Sequence, residues 1–144
     1  MKSILIIGDG IIGMLSAIVL SNIYQNIYLV KSSKKKDYKP KVDRFFSINL
    51  LSQYFFMKNN IWEDIITSNP QPYSKIITWD DKIEDSLIFE SSSISYNSLG
   101  HIVKETSIID SLLKRLANIK NIMSIKDTDI REIHDNNDAH TIIF

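Results

Sequence analysis

The sequence predicts an α/β fold. Ile4, Leu5, Ile6 and Ile7 are consecutive apolar residues, the composition of a strand buried on both faces. Gly8, Gly10 and Gly13 follow at G-x-G-x-x-G spacing. Ile11 to Leu20 is an apolar, small-residue stretch of helical length, and Ile27 to Val30 reads as a second strand. Strand, glycine turn, helix and strand in that order form the βαβ unit of Rossmann-like dinucleotide-binding domains.

Each glycine has a separate task in such a unit. Gly8 permits the tight turn out of the strand. Gly10 lacks a Cβ, so a pyrophosphate can approach the backbone, and Gly13 lets the helix pack closely, with Ala17 extending its small face. The N–H groups of Ile11 and Ile12 would point at the phosphates, where the helix dipole adds about 0.3–1 kcal/mol for an anion.

Two residues depart from the pattern. Asp9 brings a carboxylate into the turn, where its charge opposes a phosphate unless its side chain points away. Lys31 stands where an acidic residue usually accepts hydrogen bonds from the adenosine ribose. Losing a charged hydrogen bond of that kind costs about 1.5–3 kcal/mol. Lysine can donate to a ribose oxygen instead, or favour a 2′-phosphate. The second option supports an alternative reading as an NADP-binding, dehydrogenase-like domain.

At 144 residues the chain is one domain by size, or part of a larger one. Its 44% apolar and 24% charged content is ordinary for a globular protein. The 17 basic and 17 acidic residues cancel, so no global field favours nucleic acid. With no cysteine there is no disulfide, cysteine nucleophile or thiolate metal site, which fits a cytoplasmic protein. No uninterrupted apolar run approaches the ~20 residues of a membrane span. His101, His134 and His140 lack metal-site spacing, and no serine sits in a nucleophile elbow. No catalytic side chain is therefore assigned.

Lysine-rich residues 31–41 with Pro40 predict an exposed loop; an anionic lipid surface or the adenosine end of a cofactor are its alternative contacts. A helix is predicted over about 49–58, capped by Ser47 or Asn49, with Arg44 just before it. Asn59 and Asn60 end it, and a short helix starts at Ile61; the aromatic residues of this region are expected in the core. Pro70 and Pro72 break the chain. Strands follow over 74–80 and 86–89, joined by an acidic loop over 80–85, and residues 91–98 are serine-rich and irregular. Leu99 and Gly100 make a turn before a short extended piece. Thr106 or Ser107 would cap a helix whose apolar face is Ile108, Ile109, Leu112, Leu113 and Leu116, with Asp110 completing a capping box. Strands are predicted over 121–126, 129–133 and 139–144, and His134 and His140 could face each other across the last turn.

The ordered set of short motifs carries a resemblance. After the glycine motif come Asp43-Arg44 with Ser47-Ile48, then Lys58-Asn59-Asn60-Ile61-Trp62, Ile76-x-x-Trp79-Asp80, Phe89, and Leu99-Gly100-His101-Ile102-Val103 before a helix. This order resembles the N-terminal part of the ubiquinone-biosynthesis aromatic-ring hydroxylases, which are single-component FAD-dependent monooxygenases. The resemblance covers most of this chain but only the front of a full-length member. It implies a Rossmann-like FAD-binding βαβ unit over residues 1–35, with the start of an added β-sheet substrate region over about 70–100, the whole being a truncated FAD-binding domain. It further implies FAD as cofactor, NAD(P)H as electron donor and an aromatic or quinone-precursor substrate, with room for peripheral membrane or multi-protein association.

By position, Gly8, Gly10, Ile11, Ile12 and Gly13 would hold the pyrophosphate, Lys31 would take the ribose-contact position, and Arg44 would lie close to the flavin. Lys104-Glu105 stands where the family reads Glu-Asn. Later family segments that close over the cofactor are absent from these residues, so the chain alone is expected to lack turnover. A non-catalytic module that needs a partner chain to complete its sheet is the remaining alternative.

Overall fold

The computed structural model describes residues 2–32, 43–80, 83–127, 130–136 and 139–143. The lysine-rich loop predicted over 31–41 falls, from residue 33 onward, outside the described residues. The chain divides into two compact units, residues 1–39 with 112–144, and residues 40–111.

The first unit opens with β1 (Ser3–Ile7), α1 (Ile11–Leu20) and β2 (Asn26–Lys31). β1 and β2 pair in parallel, Ser3 against Asn26 through Ile7 against Val30. A third parallel strand, β8 (Ile122–Lys126), lies on the other side of β2, so the sheet order is β1-β2-β8. The middle strand is the most buried. Ile27 and Leu29 are inaccessible, as a strand flanked on both edges and covered by a helix requires. From α1, Met14, Ala17 and Ile18 are buried on one face. The start of β8 is tied down by Asn121, whose Nδ2 donates to the carbonyls of Ser21 and Tyr24 at 2.9 Å each. Those two carbonyls belong to the turn that leaves α1, so one side chain joins the first crossover to the third strand.

β9 (Glu132–Asn136) and β10 (Ala139–Ile143) form an antiparallel ribbon in the same unit. Its register puts His134 opposite Thr141 and His140 opposite Asp135. The two histidines are therefore not partners in the register of the ribbon. His134 Nε2 instead meets the Glu132 carboxylate at 2.8 Å.

The second unit is built on an antiparallel sheet in the order β3-β7-β4: β3 (Phe45–Asn49), β7 (Gly100–Lys104) and β4 (Gln71–Tyr73). Several expectations change here. Residues 45–49 are a strand, so Arg44 precedes β3 and not a helix. α2 (Leu50–Lys58) follows, and Asn49 is the cap, accepting the Ser52 N–H at 2.8 Å. Pro72 lies inside a strand; β4 is an edge paired only with β7, where a missing N–H costs no ladder bond. Gly100 is not a turn residue but the first residue of the central strand. A Cβ there would collide with the Ile48 carbonyl oxygen and stand 2.7 Å from the Tyr73 hydroxyl, so close strand packing requires glycine.

α3 (Trp62–Ile66) follows Asn60, whose φ of 55° turns the chain. Among the described residues, Phe56, Ile61, Trp62, Ile65, Val103 and Ile108 are the buried large apolar side chains of this unit. Only part of the aromatic set is core, for Phe45, Tyr54 and Phe55 are exposed. β5 (Lys75–Asp80) and β6 (Ile83–Glu90) form a two-stranded ribbon, so the acidic segment expected as a loop is already strand from Ile83. A 3-10 turn over Ser91–Ile94 follows, with Ser95 left-handed at φ 58°. α4 (Glu105–Ala117) starts directly off β7, which puts Thr106 and Ser107 inside the helix instead of at its cap. Its first N–H, on Glu105, donates to the Arg44 carbonyl at 2.8 Å. Ser111 is buried on α4 and donates to the Ile61 carbonyl at 2.6 Å.

Candidate functional site

The glycine turn sits at the carboxyl end of β1, the end at which open α/β sheets bind ligands. Gly8 takes φ 113°, a conformation that L side chains rarely adopt. Its N–H donates to the Val30 carbonyl at 3.1 Å, which locks the turn to the end of β2. Gly10 is the helix N-cap, in extended backbone at φ −75° and ψ −179°. The first helical bond runs from the Met14 N–H to the Gly10 carbonyl at 2.9 Å. The N–H groups of Ile11, Ile12 and Gly13 precede that bond and have no partner within the helix.

Gly8 and Gly10 border open space, whereas Gly13 is crowded. A Cβ on Gly10 would meet nothing within 4 Å, so this side of the turn is an open cradle. A Cβ on Gly13 would collide with the Gly8 carbonyl oxygen and come within 2.9 Å of its carbon. Gly13 thus sets the approach of the helix to the turn itself, and only then to the sheet. Ile7 and Ile12 flank the cradle and are largely exposed, at 71% and 74%. The cradle therefore fits a pyrophosphate: it offers open space, amide donors and the positive end of a helix, with apolar shoulders on both sides.

Lys31 ends β2, half-buried, and is in register with Lys126 at the end of β8. Lys126 was not identifiable beforehand. The parallel pairing joins strands more than ninety residues apart in the chain, and no local pattern reveals it. Asp9 is half-buried and makes an interaction of its own.

Arg44 belongs to the second unit and stands in a cluster of alternating charge. Its guanidinium lies 3.3 Å from the Glu105 carboxylate and 5.6 Å from the centre of the Phe46 ring. Lys104, directly before Glu105, pairs with Asp43 at 2.9 Å. β3 and β7 bring the four residues together, since Phe45 is in register with Lys104. On the same central strand, His101 packs edge-on against Trp62 with ring centres 5.3 Å apart. Its Nδ1 is buried without a hydrogen-bond partner among the described residues.

No protein-family model matches the sequence. Solved structures do match. The p-nitrophenol 4-monooxygenase PnpA of Pseudomonas putida DLL-E4 superposes with a TM-score of 0.64 at 12% identity, over 99% of this chain and 36% of that one. The flavin-dependent monooxygenase PieE, solved with FAD and substrate, gives 0.66 at 12% identity, over 98% and 26%. The Diels-Alderase PyrE3 of pyrroindomycin biosynthesis gives 0.69 at 12% identity, over 99% and 29%. The chain spans about a third of the length of these proteins. At such identity the likeness is one of fold: the described residues adopt the mixed α/β fold found in FAD-dependent monooxygenases.

Proposed function

We propose that this chain is the cofactor-holding part of a flavin-dependent monooxygenase, with FAD seated on the turn Gly8–Gly13. The open side of Gly10, next to free helix amides at the end of a parallel strand, carries this reading. Gly8, Gly10, Ile11, Ile12 and Gly13 bind the pyrophosphate, and Lys31 meets the adenosine ribose as a donor. Arg44 serves the flavin end, held in place by Glu105. Residues 1–35 are then the dinucleotide unit, and the strands from about 70 onward begin the substrate region. Bound FAD, reduced by NAD(P)H, supplies oxygen activation for insertion into an electron-rich aromatic ring. The motif order from Asp43-Arg44 to Leu99-Gly100-His101 favours a ubiquinone-biosynthesis type of substrate, a quinone precursor. The residues present are assigned binding, not turnover.

Titration of FAD into the purified chain, followed by flavin fluorescence, tests the assignment. Saturable binding is expected, lost on Gly10→Val with unchanged circular dichroism. A folded chain that leaves flavin fluorescence unaltered would refute it.

A further inference from the structure

One face of the β3-β7-β4 sheet carries a hydroxyl pair held over a glycine. Ser47 and Tyr73 stand on the two outer strands, yet the Ser47 Oγ donates to the Tyr73 Oη at 2.8 Å. The tyrosine side chain therefore spans the central strand, β7. Gly100 makes the crossing possible: it is the register partner of Tyr73, and a Cβ there would stand 2.7 Å from the hydroxyl. Two hydroxyls that share one hydrogen bond use one of their two protons. The Tyr73 proton is left over and has no acceptor among the described residues. Accepting from Ser47 makes Tyr73 the stronger donor, because hydrogen bonds in series polarise one another.

The surface beside this donor is apolar. Ser47 is in register with Ile102 and Phe45 with Lys104, so all four share the face of Tyr73 and Gly100. Ile102 and Phe45 are exposed, whereas Val103, on the opposite face, is buried. The next position on this face beyond the Ser47–Ile102 pair lies two residues along, about 6.8 Å away. There the Lys104 ammonium pairs with Asp43 at 2.9 Å. Between the donor and the ion pair there is length for a single ring; a fused system would run onto the charges.

We infer that this face binds one aromatic ring through an oxygen substituent, with the Tyr73 hydroxyl donating to that oxygen and Ile102 and Phe45 against the ring. Phe45 favours a flat aromatic partner over a saturated one of the same size. The inference deepens the flavin-monooxygenase reading and rests on it for the ring's role as substrate, which makes Tyr73 a residue that selects the substrate.

Small probes separate the contributions. Acetophenone has both ring and acceptor, ethylbenzene lacks the acceptor, and cyclohexyl methyl ketone lacks the flat ring. Each is titrated into the isotope-labelled full chain and followed by amide NMR shifts. Acetophenone is expected to bind about two- to tenfold more tightly than ethylbenzene, the value of one hydrogen bond. Its shifts should centre on Tyr73, Ile102 and Lys104, and cyclohexyl methyl ketone should bind more weakly. Phenol against toluene repeats the comparison with a hydroxyl oxygen in place of a carbonyl, and an advantage of either oxygen that depends on Tyr73 supports the site. Tyr73→Phe should erase the advantage with ethylbenzene unaffected, and Ser47→Ala should reduce it in part.

Equal affinity for the oxygenated and oxygen-free probes overturns the inference. So does an advantage that survives Tyr73→Phe, or shifts confined to the β5–β6 ribbon. FAD titration is an independent readout. A chain that binds FAD and fails these tests loses this inference alone; one that binds acetophenone through Tyr73 but not FAD keeps the ring site and loses the flavin reading.

Discussion

A methyl group added at Gly10 and one added at Gly13 meet opposite surroundings within a single turn. Gly10→Ala enters open space from ordinary backbone, so its effect on folding stability should stay within about 0.5 kcal/mol. Its effect on FAD affinity should be the larger one. Gly13→Ala drives a Cβ into the Gly8 carbonyl, and overpacking of this kind costs about 1–3 kcal/mol. Urea unfolding of the two variants separates the roles; a Gly10→Ala protein as destabilised as Gly13→Ala would contradict them. This much was legible in the sequence, because G-x-G-x-x-G spacing has one mechanical solution between a strand and a helix. Ser111 was not legible. It is a polar residue within an apolar helix face, and only the fold shows its hydroxyl on the buried Ile61 carbonyl. Ser111→Ala should cost about 1–3 kcal/mol, measurable by thermal unfolding. On the ribbon, the hydrogen bond from Lys75, together with its charge, holds the Glu90 carboxyl below the usual carboxylate range. A lowered folded-state value stabilises the fold above the unfolded carboxylate range, and that contribution fades as the pH falls through the lowered value. An NMR titration should show the Glu90 midpoint rising in Lys75→Ala; a midpoint that does not move would rule the pair out.

Among the elements, α1, β2, α2 and α3 follow the sequence pattern closely, whereas β3 and β4 do not. β3 hides because Phe45-Phe46-Ser47-Ile48 is short and runs straight into the capping Asn49, so helix and strand patterns overlap. β4 hides because a proline-bearing strand exists only where a neighbour, here β7, supplies one paired edge. The β5–β6 ribbon is another case. Ile77, Trp79 and Ile88 are on one face and Ile76, Leu87 and Phe89 on the other, and all six are exposed. Two strands alone are marginal in water. Hydrogen exchange should therefore run far ahead in β5 and β6 compared with β2, whose Ile27 and Leu29 are inaccessible. Equal protection of the two would show that the ribbon is covered in solution.

Across the whole molecule, the first unit is assembled from the two ends of the described chain. The Asn121 side chain reaches carbonyls 97 and 100 residues away in sequence, and β8 completes the sheet beside β2. Pairings of such separation form late and slowly. Asn121→Ala should leave β1, α1 and β2 intact in outline yet slow refolding of the first unit. Stopped-flow circular dichroism would register the slowing. The boundary between the units falls between Ser111 and Leu112, within the residues of α4.

The two tryptophans, Trp62 and Trp79, both lie in the second unit, one 5% and the other 74% exposed. All indole emission thus originates from residues 40–111, and only Trp62 has a buried environment to lose. A fluorescence melt is a private signal of the second unit, while a circular-dichroism melt sums both. If the two curves coincide, the chain unfolds as one cooperative body. If emission shifts first, the second unit opens on its own while the glycine turn is still folded.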